Sequence, residues 1–214
     1  MTTSNYHHGN LRADLLDKAV EFIAKNGVEN LSLRQLAREL GVSHGAPARH
    51  FSNKAALLTA VATKGYSDMI VATQKVAQKH EDKDQIDLED LLSPPEPCAH
   101  LRAMIKADVV WAKSNPKLFM AMRNPDVTRH ADDTLKSAIA CLSEKQLVAI
   151  KNAQSKGWSS QIDPKMLRLQ ILSTIAGLSS MLCDPFYHEF LVENELDDFI
   201  DHTIDNVLRD RKTS

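Results

Sequence analysis

The sequence predicts an all-α chain with a small N-terminal three-helix unit over residues 1–66, a long helix leading out of it, and a larger helical region over residues 67–214. Three observations predict this. Apolar residues recur at three- and four-residue intervals, the spacing of one helix face, along most of the 214 residues. The runs open on capping residues and close on glycine or proline. One run, Met166 to Leu182, is apolar nearly all round and so needs partners on two sides.

In chain order, residues 1–10 are polar. Their Tyr6, His7 and His8 either lie against phosphates or a minor groove or form a plain lead-in. Leu15, Leu16, Ala19, Val20, Phe22 and Ile23 make one face of a helix from Leu11 to Asn26, stopped at Gly27. Ser32 and Gln35 have capping-box spacing, and Leu33, Leu36, Ala37 and Leu40 form the apolar stripe of a second helix ended by Gly41. Val42 plugs the corner and Ser43 is a good N-cap for a short third helix, His44 to His50. Phe51, Leu57, Leu58 and Val61 close the same small core. Ser52 is placed to cap a fourth helix running from Asn53 to about Lys79, which would reach roughly 40 Å. An acidic, proline-closed connection follows, with a short helix at Asp87 to Leu92.

The C-terminal region resumes with helices at His100 to Lys113, Asn115 to Asn124 and Ala131 to Lys156, the last ended by Gly157. Asp163-Pro164 starts the next helix in cap-then-proline order, and Asp184-Pro185 breaks it. A last helix spans Asn194 to Arg209. The all-apolar helix can share one side with its own core and the other with a second copy of itself, its small residues permitting close approach. Leu172, Ile175 and Ser179, with Phe199, Ile200, Ile204 and Val207 of the last helix, are the predicted interface of a four-helix dimer bundle. The opposing possibility is that both helices are simply buried in a monomer.

The candidate functional stretch is SLRQLARELGVSHGAPARHFSNK, Ser32 to Lys54. Its second helix contributes His44, Gly45, Ala46, Pro47, Ala48, Arg49 and His50, which can fill little of a core. Small side chains let its backbone approach a partner closely, Arg49 and the histidines supply donors, and a helix of this size fits the DNA major groove. Ser43, His44, Gly45 and Arg49 are placed nearest the bases, and Ser32 and Pro47 complete the candidate DNA-binding set. Arg34, His50 and Lys54 are placed for phosphates, which set register without specifying sequence. Lys54 is electrostatically poor in the first turn of a helix unless a phosphate compensates, or else it is merely solvated. Charge is segregated in the same sense, +2 over residues 1–68 and −4 over the remainder.

These residues resemble the tetracycline-repressor (TetR) family of one-component transcriptional regulators. The likeness spans about Tyr6 to Tyr66, carried by LLDKAVEFIAKNGVENLSLRQLARELGVSHGAPARHFSNKAALLTAV, and YHHGNLR with VSHGAPARHF is similar to one of its subgroups. Where the family usually has a Tyr that touches a phosphate, this chain has Ala48. The resemblance implies a DNA-binding domain over residues 1–66 and an effector-binding, dimerising domain over 67–214. Met104, Asp108, Trp111, Phe119 and Met122 are candidate pocket residues, since methionine- and aromatic-rich helices line pockets for apolar molecules as well as cores.

Hydrophobic residues at 43% and charged residues at 25% argue against disorder. The three cysteines have no metal-like spacing. No phosphate loop, nucleophile elbow or paired-carboxylate motif appears, so neither an enzyme nor a bound metal or cofactor is expected. The N-terminus has no secretory leader pattern, and no run reads as membrane-spanning. The expectation is a cytoplasmic, nucleoid-associated repressor that binds a palindromic double-stranded DNA operator as a homodimer and is released by a partly apolar small-molecule effector. The competing class is a helical dimer that serves as a protein-interaction module with weak DNA binding or none.

Overall fold

The computed structural model describes residues 10–81, 97–190 and 195–210, and every regular element among them is helical. We label the helices α1 (Leu11–Asn26), α2 (Leu33–Glu39), α3 (Lys54–Glu81), α4 (Ala99–Ser114), α5 (Pro116–Met122), α6 (Pro125–Arg129), α7 (Asp133–Ser155), α8 (Pro164–Cys183) and α9 (Leu196–Leu208). Two short 3-10 segments, Pro47–Arg49 and Pro185–Glu189, complete the set. The N-terminal arm with Tyr6, His7 and His8, and the expected short helix at Asp87 to Leu92, lie outside the described residues.

Local chemistry explains most of the boundaries. Gly41 takes φ +67°, so that its own N–H reaches the Arg38 carbonyl at 3.2 Å and the Val42 N–H reaches that of Ala37 at 3.0 Å. This paired closure needs a left-handed residue, which glycine supplies without a Cβ penalty. Gly157 ends α7 in the same way, with φ +97° and the Trp158 N–H on the Ala153 carbonyl. Asp163 caps α8 by accepting from the Lys165 N–H at 2.6 Å. α3 is capped not by Ser52 but by Asn53, whose Oδ1 accepts from the Ala56 N–H at 2.9 Å.

The segment Asn115 to Asn124 also differs from expectation. Its helix stops at Met122, and Asn124 caps a further short helix, α6, with Pro125 in the first turn. Asn-Pro is thus a restart here, the same signal as Asp163-Pro164, where the sequence suggested only a stop.

The chain divides into two compact units, but not at residue 66 alone: Lys117–Lys136 joins the residues up to Gly65, while Tyr66–Pro116 and the chain from Ser137 form the second. Within the first unit the reason is visible. Lys117 donates to the Lys25 carbonyl, and Thr59 Oγ1 lies 3.4 Å from the His130 carbonyl. The Met122 thioether fills the space over Gly65 so closely that a Cβ there would collide with it. Buried Leu15, Ile23, Leu36, Phe51, Leu57 and Val61 form the apolar interior of this unit. The Arg12 guanidinium lies 5.1 Å from the centre of the Phe51 ring.

In the second unit α4, α8 and α9 pack on one another. Leu101, Ile105, Val109, Ile171, Ile175 and Ile200 form the centre of one hydrophobic cluster, which Ile150 and Trp158 extend. The Trp158 indole N–H donates to the Leu208 carbonyl at 2.7 Å, tying the α7–α8 turn to the end of α9. Arg102 forks onto Asp205 at 2.6 and 3.3 Å, and Lys106 reaches Asp201 at 2.8 Å, fixing α4 against α9 from the outside. α8 is long and apolar enough to cross a membrane by length and composition, with a mean hydropathy of 1.4, and its Leu167, Ile171, Ile175 and Leu178 are packed into this core.

The predicted dimer residues are corrected by the same packing. Ile175, Ser179, Ile200 and Ile204 are buried inside their own subunit because α4 occupies the side of α8 and α9 that they face. Val207 packs against that core as well. Leu172 and Phe199 remain exposed. The outward stripe of α8 is instead Met166, Leu169, Leu172, Ser173 and Gly177, with Met166 and Leu169 each 52% exposed.

Candidate nucleic-acid interface

Between α2 and α3 the backbone passes through Ser43 to His50 without forming the α-helix that the sequence suggested. His44 to Ala46 is a turn, and Pro47–Arg49 a single 3-10 turn held by the Arg49 N–H on the Ala46 carbonyl and the His50 N–H on that of Pro47. Gly45 and Pro47 within seven residues leave too little helix-forming chain to propagate an α-helix. Ser43, His44, Gly45, Ala48, Arg49 and His50 are all exposed. Pro47 is not: it is buried where the 3-10 turn packs on α1 and α2, so it anchors the segment rather than meeting a partner.

The flanking positions are set by caps. Ser32 Oγ accepts from the Gln35 N–H at 3.2 Å, but the Gln35 amide turns to Glu39 at 3.2 Å, so only half of the capping box forms. Ser32 and Arg34 at the start of α2 are exposed on the same unit. Lys54 is half-buried and its Nζ donates to the Glu29 carbonyl at 3.1 Å, which gives this cation a structural partner that the sequence did not suggest.

This order of elements has counterparts among known proteins. Residues 15–61 match the family model described as bacterial regulatory proteins, tetR family. Its N-terminal unit is that of a TetR-type regulator. A curated relative, the HTH-type nicotine-responsive transcriptional repressor HdnoR of Paenarthrobacter nicotinovorans, is 26% identical over 196 residues, covering 89% of this chain and 94% of that one. A Rhodococcus protein of unknown function has the same fold at TM-score 0.75 and 26% identity, covering 97% and 98% of the two chains. The regulator FadR of Bacillus subtilis, solved in complex with stearoyl-CoA, shares the fold at TM-score 0.58 and 16% identity, over 94% and 99%. The protein is therefore a TetR-type DNA-binding transcriptional regulator, of a family of regulators rather than enzymes.

The TetR chain's predicted pocket residues fall in two places. Phe119 and Met122 belong to the first unit, where Met122 covers Gly65 and the Arg123 guanidinium sits 5.6 Å from the centre of the Phe119 ring. Met104, Asp108 and Trp111 share one face of α4 in the second unit. Met104 is spent on the hydrophobic cluster and Trp111 is half-buried. Asp108 is the unusual one, only 2% exposed, with Thr73 Oγ1 donating to Oδ1 at 3.0 Å and Gln146 Nε2 to Oδ2 at 3.4 Å. Burial pushes its carboxyl up to about 6 despite those two donors. None of the five lines the described cleft of about 590 Å³ bordered by Cys98, Trp158, His202 and Asp205.

Proposed function

We propose that this TetR regulator binds a palindromic operator as a homodimer in the cytoplasm, acts as a repressor, and is released by a small molecule taken up by its second unit. The observation that carries the DNA reading is the exposed run of Ser43, His44, Gly45, Ala48, Arg49 and His50, which has no large apolar side chain and is held out on a unit whose own core is complete. Ser43, His44, Gly45 and Arg49 meet base edges, and Ser32, Arg34, His50 and Lys54 take phosphates. Lys54 must exchange its Glu29 carbonyl for a phosphate or share the two.

The exposed α8 stripe supports the dimer. Met166, Leu169 and Leu172 stand beside exposed Ser173 and Gly177, and Phe199 of α9 is 38% exposed. Apolar side chains followed along the helix by small ones suit a self-complementary helix pair. Two operator half-sites would then lie about 34 to 36 Å apart or a multiple of that. The nicotine-responsive relative and the stearoyl-CoA complex support a partly apolar effector, whose differential affinity for two states of the protein must supply the coupling.

Selection of duplexes from a random pool by the purified protein, followed by salt titration of wild type and Arg49→Ala/Lys54→Ala, tests the reading. We expect a palindromic consensus, and a weaker, less salt-dependent complex for the double variant. Enrichment of no sequence, or identical binding by the double variant, would overturn it.

A further inference from the structure

We propose that the effector is a protonated amine on a partly apolar frame, with the Asp108 carboxylate as its counter-ion. The inference rests on the effector-responsive reading above and names the chemistry of that site.

An ionised carboxylate offers roughly four acceptor positions. Among the described residues Asp108 has two neutral donors, one of them long, and neither carboxylate oxygen has a cationic partner there. The Thr73 hydroxyl moreover carries a single proton while lying 2.9 Å from the Met69 carbonyl and 3.0 Å from Asp108 Oδ1. It can donate to only one of them at a time. Both contacts are filled together only when Asp108 itself is protonated, donating to Thr73 Oγ1 while that hydroxyl donates to Met69. The centre is therefore satisfied as a neutral acid and short of a cation as a carboxylate, in surroundings where an unpaired charge is expensive.

An ammonium group supplies the missing charge and several N–H donors at once, and the 3.4 Å Gln146 contact is the one that it displaces. A neutral ligand would leave the charge uncompensated, and an anion would be repelled. Among the described residues no group of three or more His, Cys, Asp or Glu side chains could hold a metal ion there instead. On the same face of α4, Met104 and Trp111 stand one turn to either side of Asp108. The half-buried Trp111 indole suits the face-on approach of a cation, while Met104 stays with the core.

The test uses aryl-alkyl amines from benzylamine to 4-phenylbutylamine, each paired with the alcohol and the carboxylate of equal length. Binding to the full-length protein is read by thermal shift and tryptophan fluorescence. The amines are expected to bind and the paired alcohols and carboxylates not to. Asp108→Asn should weaken the amines about 10- to 100-fold, and lowering the pH from 7 to 5 should weaken them about tenfold as the carboxylate takes up a proton. Equal binding of an alcohol or carboxylate, no binding by any amine, or amine binding indifferent to both pH and Asp108→Asn overturns the proposal. Should Asp108→Asn not fold, the charge series and the pH profile on the wild type decide. Operator binding by the same preparation separates the two levels. A selected duplex released only by neutral or anionic compounds removes the amine and keeps the regulator, whereas no selected duplex removes the regulator while the thermal shifts still report on Asp108.

Discussion

Two polar regions of this protein handle polarity in opposite ways. From Ser43 to His50 the polar groups stand in water, and leaving them without a protein partner costs little because solvent hydrates them. At Asp108 the polar group is taken out of water and given only neutral donors. The first region is free to wait for a ligand. The second carries a standing penalty for its charge, so its stability responds to pH and its occupant has to bring something specific.

Substitutions should sharpen this contrast, beginning with the framework that holds the first region out. Leu36→Ala empties a fully buried position of α2 and should lower unfolding free energy by about 2 to 5 kcal/mol, measured by chemical denaturation. A loss below about 1 kcal/mol would mean that the three-helix core does not position the segment as described.

Asp108→Asn should go the other way. The folded carboxyl titrates at about 6 against an ordinary 3.8, so the native state binds the proton more tightly, and wild-type stability declines as pH rises through that window. The asparagine variant lacks the ionised form and should gain on the order of 3 kcal/mol at pH 7.5. The gain should shrink toward zero near pH 4, in paired melts across the range. A variant less stable than wild type at pH 7.5 would show that the carboxylate is better compensated than its two donors suggest.

Ser32→Ala removes the N-cap of α2 and should cost about 1 kcal/mol, because the Gln35 N–H loses its acceptor. Arg49→Ala is the smallest in stability, within about 0.5 kcal/mol, since the side chain is exposed. A large stability change at Arg49 would break the comparison, for it would make the segment part of the fold rather than a surface awaiting a partner.

What the sequence revealed follows the same divide. Helix bounds set by one residue's own chemistry were legible: Gly27, Gly41 and Gly157 end their helices, and Asp163-Pro164 starts one. The exposed run from Ser43 to His50 was legible because so little in it could be buried, although Pro47 turned inward and the segment closed as a 3-10 turn. What depends on who packs against whom was not. Ile175, Ile200 and Ile204 look alike in sequence whether they face a second subunit or α4, and only packing assigns them to α4. The return of Lys117–Lys136 to the first unit rests on Met122 over Gly65 and Lys117 on the Lys25 carbonyl, contacts between residues far apart in sequence. Asp108 was recognisable as a carboxylate on an apolar helix face, but its neutral company, Thr73 and Gln146, comes from two other helices.

The most direct measurement is equilibrium binding of the selected duplex and a scrambled one by wild type and Arg49→Ala at matched salt. If the Ser43 to His50 segment is completed by DNA, wild type prefers the selected duplex, and Arg49→Ala loses about 1 to 3 kcal/mol of that preference while its melting temperature stays put. Undiminished preference in the variant, or equal wild-type affinity for both duplexes, would contradict the assignment of that segment to base recognition.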